Sequence, residues 1–204
     1  MNNFIHPTCF IHPTASLGKN VYLGQGSFVG ENVVIGDNNW FGCGVVLEKN
    51  VKIGNNNKIY HYAVIGSPPQ HLSYKDEPTS VEIGDDNTIR EFVTIHRGTT
   101  IGNGVTKIGS KNYFMAYTHI GHDCIVGSSV VITSFSGISG HTEIGDFVTI
   151  GGMSGTHQFV RIGEYAMIGG GSGVGRDVPP YTLAAGSVAR LFGLNIIGLR
   201  RAGI

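Results

Sequence analysis

The sequence predicts an all-β fold, a three-sided parallel β-helix. Three observations carry this: a six-residue apolar period, a second register of small residues, and glycine or asparagine between them. From Ile5, every sixth residue is large and apolar: Ile11, Leu17, Leu23, Val29, Ile35, Phe41, Leu47, Ile53, Ile59 and Ile65. The pattern resumes at Ile83, Ile89 and Ile95, slips in phase, and then runs from Ile108 through Phe114, Ile120, Ile138 and Thr156 to Val174. A helix would repeat near 3.6 residues and a simple strand at two, and six fits neither. It fits one side of a triangular coil, with about 4.8 Å between stacked turns.

Each side then needs an inward aliphatic residue, an inward small one and a corner. The small register lies four residues after each aliphatic position, at Ala15, Val21, Ser27, Val33, Asn39, Val45 and Ala63, as a narrow prism requires. Cys124 falls in this register and reads as buried and inert. Glycines such as Gly18, Gly24, Gly30 and Gly36, and asparagines, read as corners at positive φ. Residues 66–82 and 97–107 break the rhythm and read as two excursion loops; about seven residues leaving the coil in the second would put Ile95 in the stack of Ile120. Residues 1–178 are expected to form the coil. Pro179 and Pro180 are expected to stop it, leaving residues 179–204 as a short C-terminal extension whose last dozen residues begin a helix.

Composition sets outer limits. The 204 residues include 32 glycines and only 14% charged residues, but 41% hydrophobic content supports a packed core. A formal net charge of zero leaves no electrostatic footprint for nucleic acid or anionic lipid. The N-terminus lacks a signal-peptide pattern, and no run of about 18 apolar residues could span a membrane. Cys9, Cys43 and Cys124 make no metal-knuckle spacing and no even-numbered disulfide framework. These features predict a soluble cytoplasmic protein.

The chemistry concentrates in histidines. Ile120, Ile138 and Thr156 are eighteen apart, so they stack on one side of consecutive coils. His122, His141 and His157 follow them at offsets of two, three and one, and the expected stacking of Ile95 adds His96, with His119 just before the corner. An outward ladder of imidazoles admits three readings: structural histidines, metal ligands, or a general base with helpers.

The runs QHLSYKDEPT, IHRGT, THIGHDCIVG, SGHTEIGDFVTIGGMSGTHQF and FGLNIIGLRRAG resemble the UDP-N-acetylglucosamine O-acyltransferase family of the hexapeptide-repeat superfamily over nearly the whole chain. The resemblance implies a left-handed coil, a homotrimer with sites between subunits, and no cofactor beyond the phosphopantetheine thioester of acyl carrier protein. It implies transfer of a 3-hydroxyacyl group from that donor to the 3-hydroxyl of the nucleotide sugar. By motif position, His122 is implied as general base, Asp123 as its helper and Gly140 as an oxyanion donor. Gln70, His71, Ser73, His96, His119, His141, His157, Gln158, Asn195 and Arg201 are implied as substrate contacts, and Gly170 as the floor of the acyl groove.

No metal is expected, although hexapeptide-repeat carbonic anhydrases hold zinc with three histidines. His71 and Ser73 stand where the family has an acidic residue and a lysine, and Ile197 and Ala202 where it has a glutamate and an arginine. These differences favour, as the alternative, acyl or acetyl transfer to another nucleotide (amino) sugar, from acyl carrier protein or coenzyme A. The extension resembles the start of a helical domain.

Overall fold

The computed structural model describes residues 2–204. The chain winds as a left-handed parallel β-helix whose six-residue units each supply a short strand and a corner. Strands of successive coils stack into three faces of eleven, nine and eight strands among the described residues. The first face starts at Phe4–Ile5, the second at Phe10–Ile11 and the third at Ser16–Leu17. Aliphatic residues pair in register from coil to coil, as in Leu23 with Phe41 and Ile120 with Ile138.

Leu23, Val29, Ile35, Phe41, Leu47 and Ile53 are buried, and so are the smaller Val21, Val33, Val45 and Ala63 beside them. Taking each large aliphatic side chain out of water contributes about 1.5–3 kcal/mol. Ile5, in the first coil, has no turn beneath it and is 41% exposed. Cys124 is fully buried and its thiol is pushed up to about 12 by that burial, so no thiolate forms there near neutrality. Where the small register is polar, the side-chain oxygens are paired, and the buried Nδ2 of Asn112 is left without a partner. Asn39, Asn57, Asn87 and Asn112 stack along the axis, each side-chain oxygen accepting the backbone N–H of the residue one coil further on.

The corners correct the sequence reading of the glycines. The left-handed residue lies three places after each aliphatic position and is usually not glycine: Asn20, Asn38, Tyr62, Phe92, Phe135 and His141 all have φ between 56° and 62°. The glycines directly after the aliphatic residue serve close approach instead. A Cβ on Gly30 would stand 1.6 Å from the Glu48 carbonyl oxygen, and one on Gly24 2.7 Å from the Gly42 carbonyl carbon. On the edge between the first and second faces, Tyr62, Phe92, Tyr117 and Phe135 stack ring on ring at 4.9–5.4 Å, all about half exposed.

The first excursion is narrower than residues 66–82, and the second leaves the coil by the seven residues expected, with Ile95 in the stack of Ile120. Ile53 pairs with Ile83, thirty residues on instead of eighteen, so twelve residues leave the coil; Ser80–Ile83 is already strand. Ile83 pairs with Ile108 and Ile95 with Ile120, twenty-five on, so the second excursion is seven residues and Val105–Ile108 is strand.

Nor do Pro179 and Pro180 stop the coil. They occupy a corner whose flanking bonds, Val178 N–H to Arg161 and Gly163 N–H to Val178, are made without them. Thr182–Ala185 adds a last parallel strand, and Arg190–Leu194 then turns back antiparallel on it. Helix α1, Ile196–Ala202, follows, capped by Asn195, whose side chain accepts from Gly198 N–H. Among the described residues, no helix is long and apolar enough to cross a membrane.

Candidate active site

His119 opens a two-residue strand of the second face that ends at buried Ile120, and His122 and Asp123 form the following corner. Asp123 takes the left-handed conformation, with φ of 59°. Short polar side chains tolerate that region better than most. The turn brings the Asp123 Oδ2 to 2.9 Å from His122 Nδ1. One coil on, the corner residue is His141, whose N–H donates to the His122 carbonyl and whose ring meets that of His122 edge-on at 5.0 Å. His141 stacks in turn on Phe159, at 4.3 Å.

Two of the imidazoles, His96 and His122, are not outward, whereas His157 is. His122 is 5% exposed, His96 6% and Asp123 3%, because the two excursions fold over this corner. Thr99, in the second, donates its N–H and hydroxyl to the Asp123 carboxylate at 3.0 and 2.7 Å. His71, in the first, places its ring 5.5 Å from that of His122. The first excursion is itself tied down by Arg97, 1% exposed, which donates to the Tyr74 hydroxyl, to Asp76 and to the Gly66 carbonyl.

A cleft of about 280 Å³ opens beside His122, lined by Gln70, His96, His119, Gly140 and Gln158 together with Gly137 and Gly155 of the second face. Gly140 is pressed against His122: a Cβ there would stand 2.6 Å from His122 Cε1 and Nε2. His119 Nδ1 bonds Thr94 Oγ1 at 2.8 Å, and the His96 ring meets His119 edge-on at 4.8 Å. Burial lowers the pKa of His119 and His141, and takes that of His96 down to about 4, with the neighbouring imidazoles adding to the shift. These three rings are therefore held neutral near pH 7.

The remaining expected contacts fall elsewhere in the chain. Ser73 and His71 line a second cleft with Tyr74, Lys75, Thr99 and Ile101. His157 is exposed, its Nδ1 within 3.1 Å of the Gln158 carbonyl. Gly170 lies against Gly152 on the next lower coil, and Asn195 and Arg201 line a separate cleft with Met167 and Leu183. As for metal, one atom each from His122, Asp123 and His141 lies within 4.8 Å of the others, but the Asp123 oxygens already accept from Thr99. Sequence reading missed Thr94, Thr99 and Arg97. The last two stand in IHRGT, a polar run directly after a strand and at a phase slip, which was the available signal.

Comparison with known proteins fits this arrangement. A family model described as bacterial transferase hexapeptide (six repeats) matches residues 32–67 and 105–140, and one described as UDP-N-acetylglucosamine O-acyltransferase, domain 2, matches residues 177–204. The acyl-[acyl-carrier-protein]–UDP-N-acetylglucosamine O-acyltransferase of Thermodesulfovibrio yellowstonii is 55% identical over 159 residues, 78% of this chain and 62% of that protein. Its Burkholderia ambifaria namesake is 51% identical over 151 residues, 74% of this chain and 58% of its own length. The chain thus spans about three fifths of these curated relatives. Among solved structures, LpxA from Acinetobacter baumannii superposes with a TM-score of 0.97 at 45% identity, covering 98% of this chain and 78% of that one. LpxA from Bacteroides fragilis gives 0.96 at 41% identity, with the same coverage. The coils and the C-terminal extension match this family, and the chain belongs to the UDP-N-acetylglucosamine O-acyltransferases.

Proposed function

We propose that the protein transfers a 3-hydroxyacyl group from acyl carrier protein to the 3-hydroxyl of UDP-N-acetylglucosamine, in the cytoplasm and without a cofactor. One observation carries this reading. His122 has its Nδ1 held by a buried carboxylate and its Nε2 beside Gly140 at the mouth of a cleft. A sugar hydroxyl is a poor nucleophile near neutrality, and an imidazole with a free nitrogen can take its proton as the oxygen attacks. The new bond joins sugar oxygen to the thioester carbonyl carbon. The carbonyl oxygen gains negative charge, and the Gly140 N–H stabilises it. Collapse of that intermediate breaks the carbon–sulfur bond, and the imidazolium returns the proton to the thiolate. Neutral His96, His119 and His141 around the base keep a second positive charge from opposing its protonation.

We further propose a threefold ring of copies. Gly170, Asn195 and Arg201 are not brought to His122 within one chain. The half-exposed aromatic stack from Tyr62 to Phe135 offers an apolar edge for a neighbouring copy. His71, edge-on to His122 where the family carries an acidic residue, favours a second reading: acylation of another nucleotide amino sugar, from acyl carrier protein or coenzyme A. Mass spectrometry of the products formed from several nucleotide sugars with both donors separates the two. Acylated UDP-N-acetylglucosamine from acyl carrier protein supports the first reading. Exclusive acylation of an amino sugar supports the second, and no transfer with any pair contradicts both.

A further inference from the structure

We infer that the seven-residue excursion is a clamp for the Asp123 carboxylate, and that Thr99 is a positioning residue which through Asp123 sets the tautomer of His122. Asp123 is 3% exposed and Thr99 3%, so their contact is shielded from water. The Thr99 hydroxyl donates to Oδ2 at 2.7 Å, and its N–H lies 3.0 Å from both carboxylate oxygens. The same Oδ2 faces His122 Nδ1 at 2.9 Å. From the other side, the Asp123 N–H donates to Thr106 Oγ1 at 2.8 Å.

The excursion is also closed by bonds that do not involve the carboxylate, among them the Gly102 N–H to the Thr99 hydroxyl at 3.3 Å. Gly102 and Gly104 close the turn by donating to the Thr99 carbonyl, at 3.2 and 3.0 Å. Its glycines lie flush against the carboxylate. A Cβ on Gly102 would stand 2.4 Å from Asp123 Cγ and Oδ1, and one on Gly98 2.8 Å from Oδ1. Two donors and two side-chain-free residues therefore hold one carboxylate in one rotation. That rotation keeps an acceptor on Nδ1, which fixes the imidazole proton there and leaves Nε2 free. A carboxylate free to turn would release Nδ1, and the proton could settle on the nitrogen that the reaction needs bare.

The inference rests on His122 acting as the base, yet its test separates the two ideas. Protein labelled with ¹⁵N-histidine reports the His122 tautomer directly, its signals identified by their loss in His122→Gln. The wild type is expected to carry its neutral proton on Nδ1, and Thr99→Val to shift population to the Nε2–H form. Thr99→Val should lower kcat and kcat/KM together, by about tenfold to a hundredfold, with acceptor KM little changed. Thr99→Ser, which keeps the hydroxyl, should stay within about threefold of wild type. If Thr99→Val does not fold, Gly102→Ala presses on the same carboxylate and should give the same tautomer shift and kcat loss.

A wild-type His122 protonated on Nε2 overturns the inference without any variant. So does a folded Thr99→Val or Gly102→Ala with wild-type tautomer and kcat, or a folded Thr99→Ser as impaired as the valine. A tautomer shift in a protein that transfers no acyl group leaves the clamp standing and removes the acyl-transfer reading instead.

Discussion

A methyl group on Gly140 would stand 2.6 Å from Nε2 of His122, closer than carbon and nitrogen tolerate, and the ring would have to give way. Displacing a catalytic group by about 1 Å can cost about a hundredfold, so Gly140→Ala is expected to lose that much in kcat. Circular dichroism should stay unchanged, since Gly140 lies outside the aliphatic stack. Burial at the same site predicts a pH effect on stability. His96 titrates near 6.5 when unfolded and at about 4 in the fold, so between these values the unfolded chain binds the extra proton. Its contribution is fully present above about pH 6.5 and is lost as the pH falls towards about 4, at up to about 1.4 kcal/mol per pH unit. Urea midpoints of His96→Gln should accordingly fall less steeply with acidification than those of wild type, and parallel slopes would contradict this.

At the scale of elements, the asparagine stack shows how the coil tolerates polarity in its core. Asn57 Oδ1 accepts both the N–H and the side-chain amide of Asn87, at 2.9 Å each. Asn57→Val would leave the buried Asn87 N–H without an acceptor, at about 1–3 kcal/mol, while the Asn87 amide would keep only its bond to the Gly109 carbonyl. A lower urea midpoint with an unchanged slope would register that loss. The elements also show what could be read from sequence. Strand positions and core residues were legible because the prism imposes one inward aliphatic and one inward small side chain on every six residues. Thr156 was even legible as the polar member of the aliphatic register, and it is 7% exposed. What failed was the part periodicity does not encode. Corner glycines answer to the backbone one coil away, and the burial of His122 depends on His71, fifty-one residues earlier, and on Thr99. Such contacts depend on how two aperiodic loops fold back. The pairing of His122 with Asp123 was legible only through the resemblance of THIGHDCIVG to the family.

At the scale of the molecule, the third face carries Lys52, Glu82 and Lys107 in one pairing row, whereas the edge between the first and second faces carries the aromatic stack. Copies are therefore expected to meet along the aromatic edge, closing a ring. Sedimentation should show three copies, and Phe135→Glu should reduce this to one; a monomeric wild type would contradict the proposal. On the proposed function, this β-helix presents His122 as the base of an acyl transfer. The most direct test of that role is kcat/KM for His122→Ala beside His157→Ala, with circular dichroism on both. A general base is worth about 10²–10⁴ in rate, so His122→Ala should lose at least about a hundredfold with its strands intact, and exposed His157→Ala clearly less. A folded His122→Ala that transfers acyl groups at the wild-type rate would contradict the account.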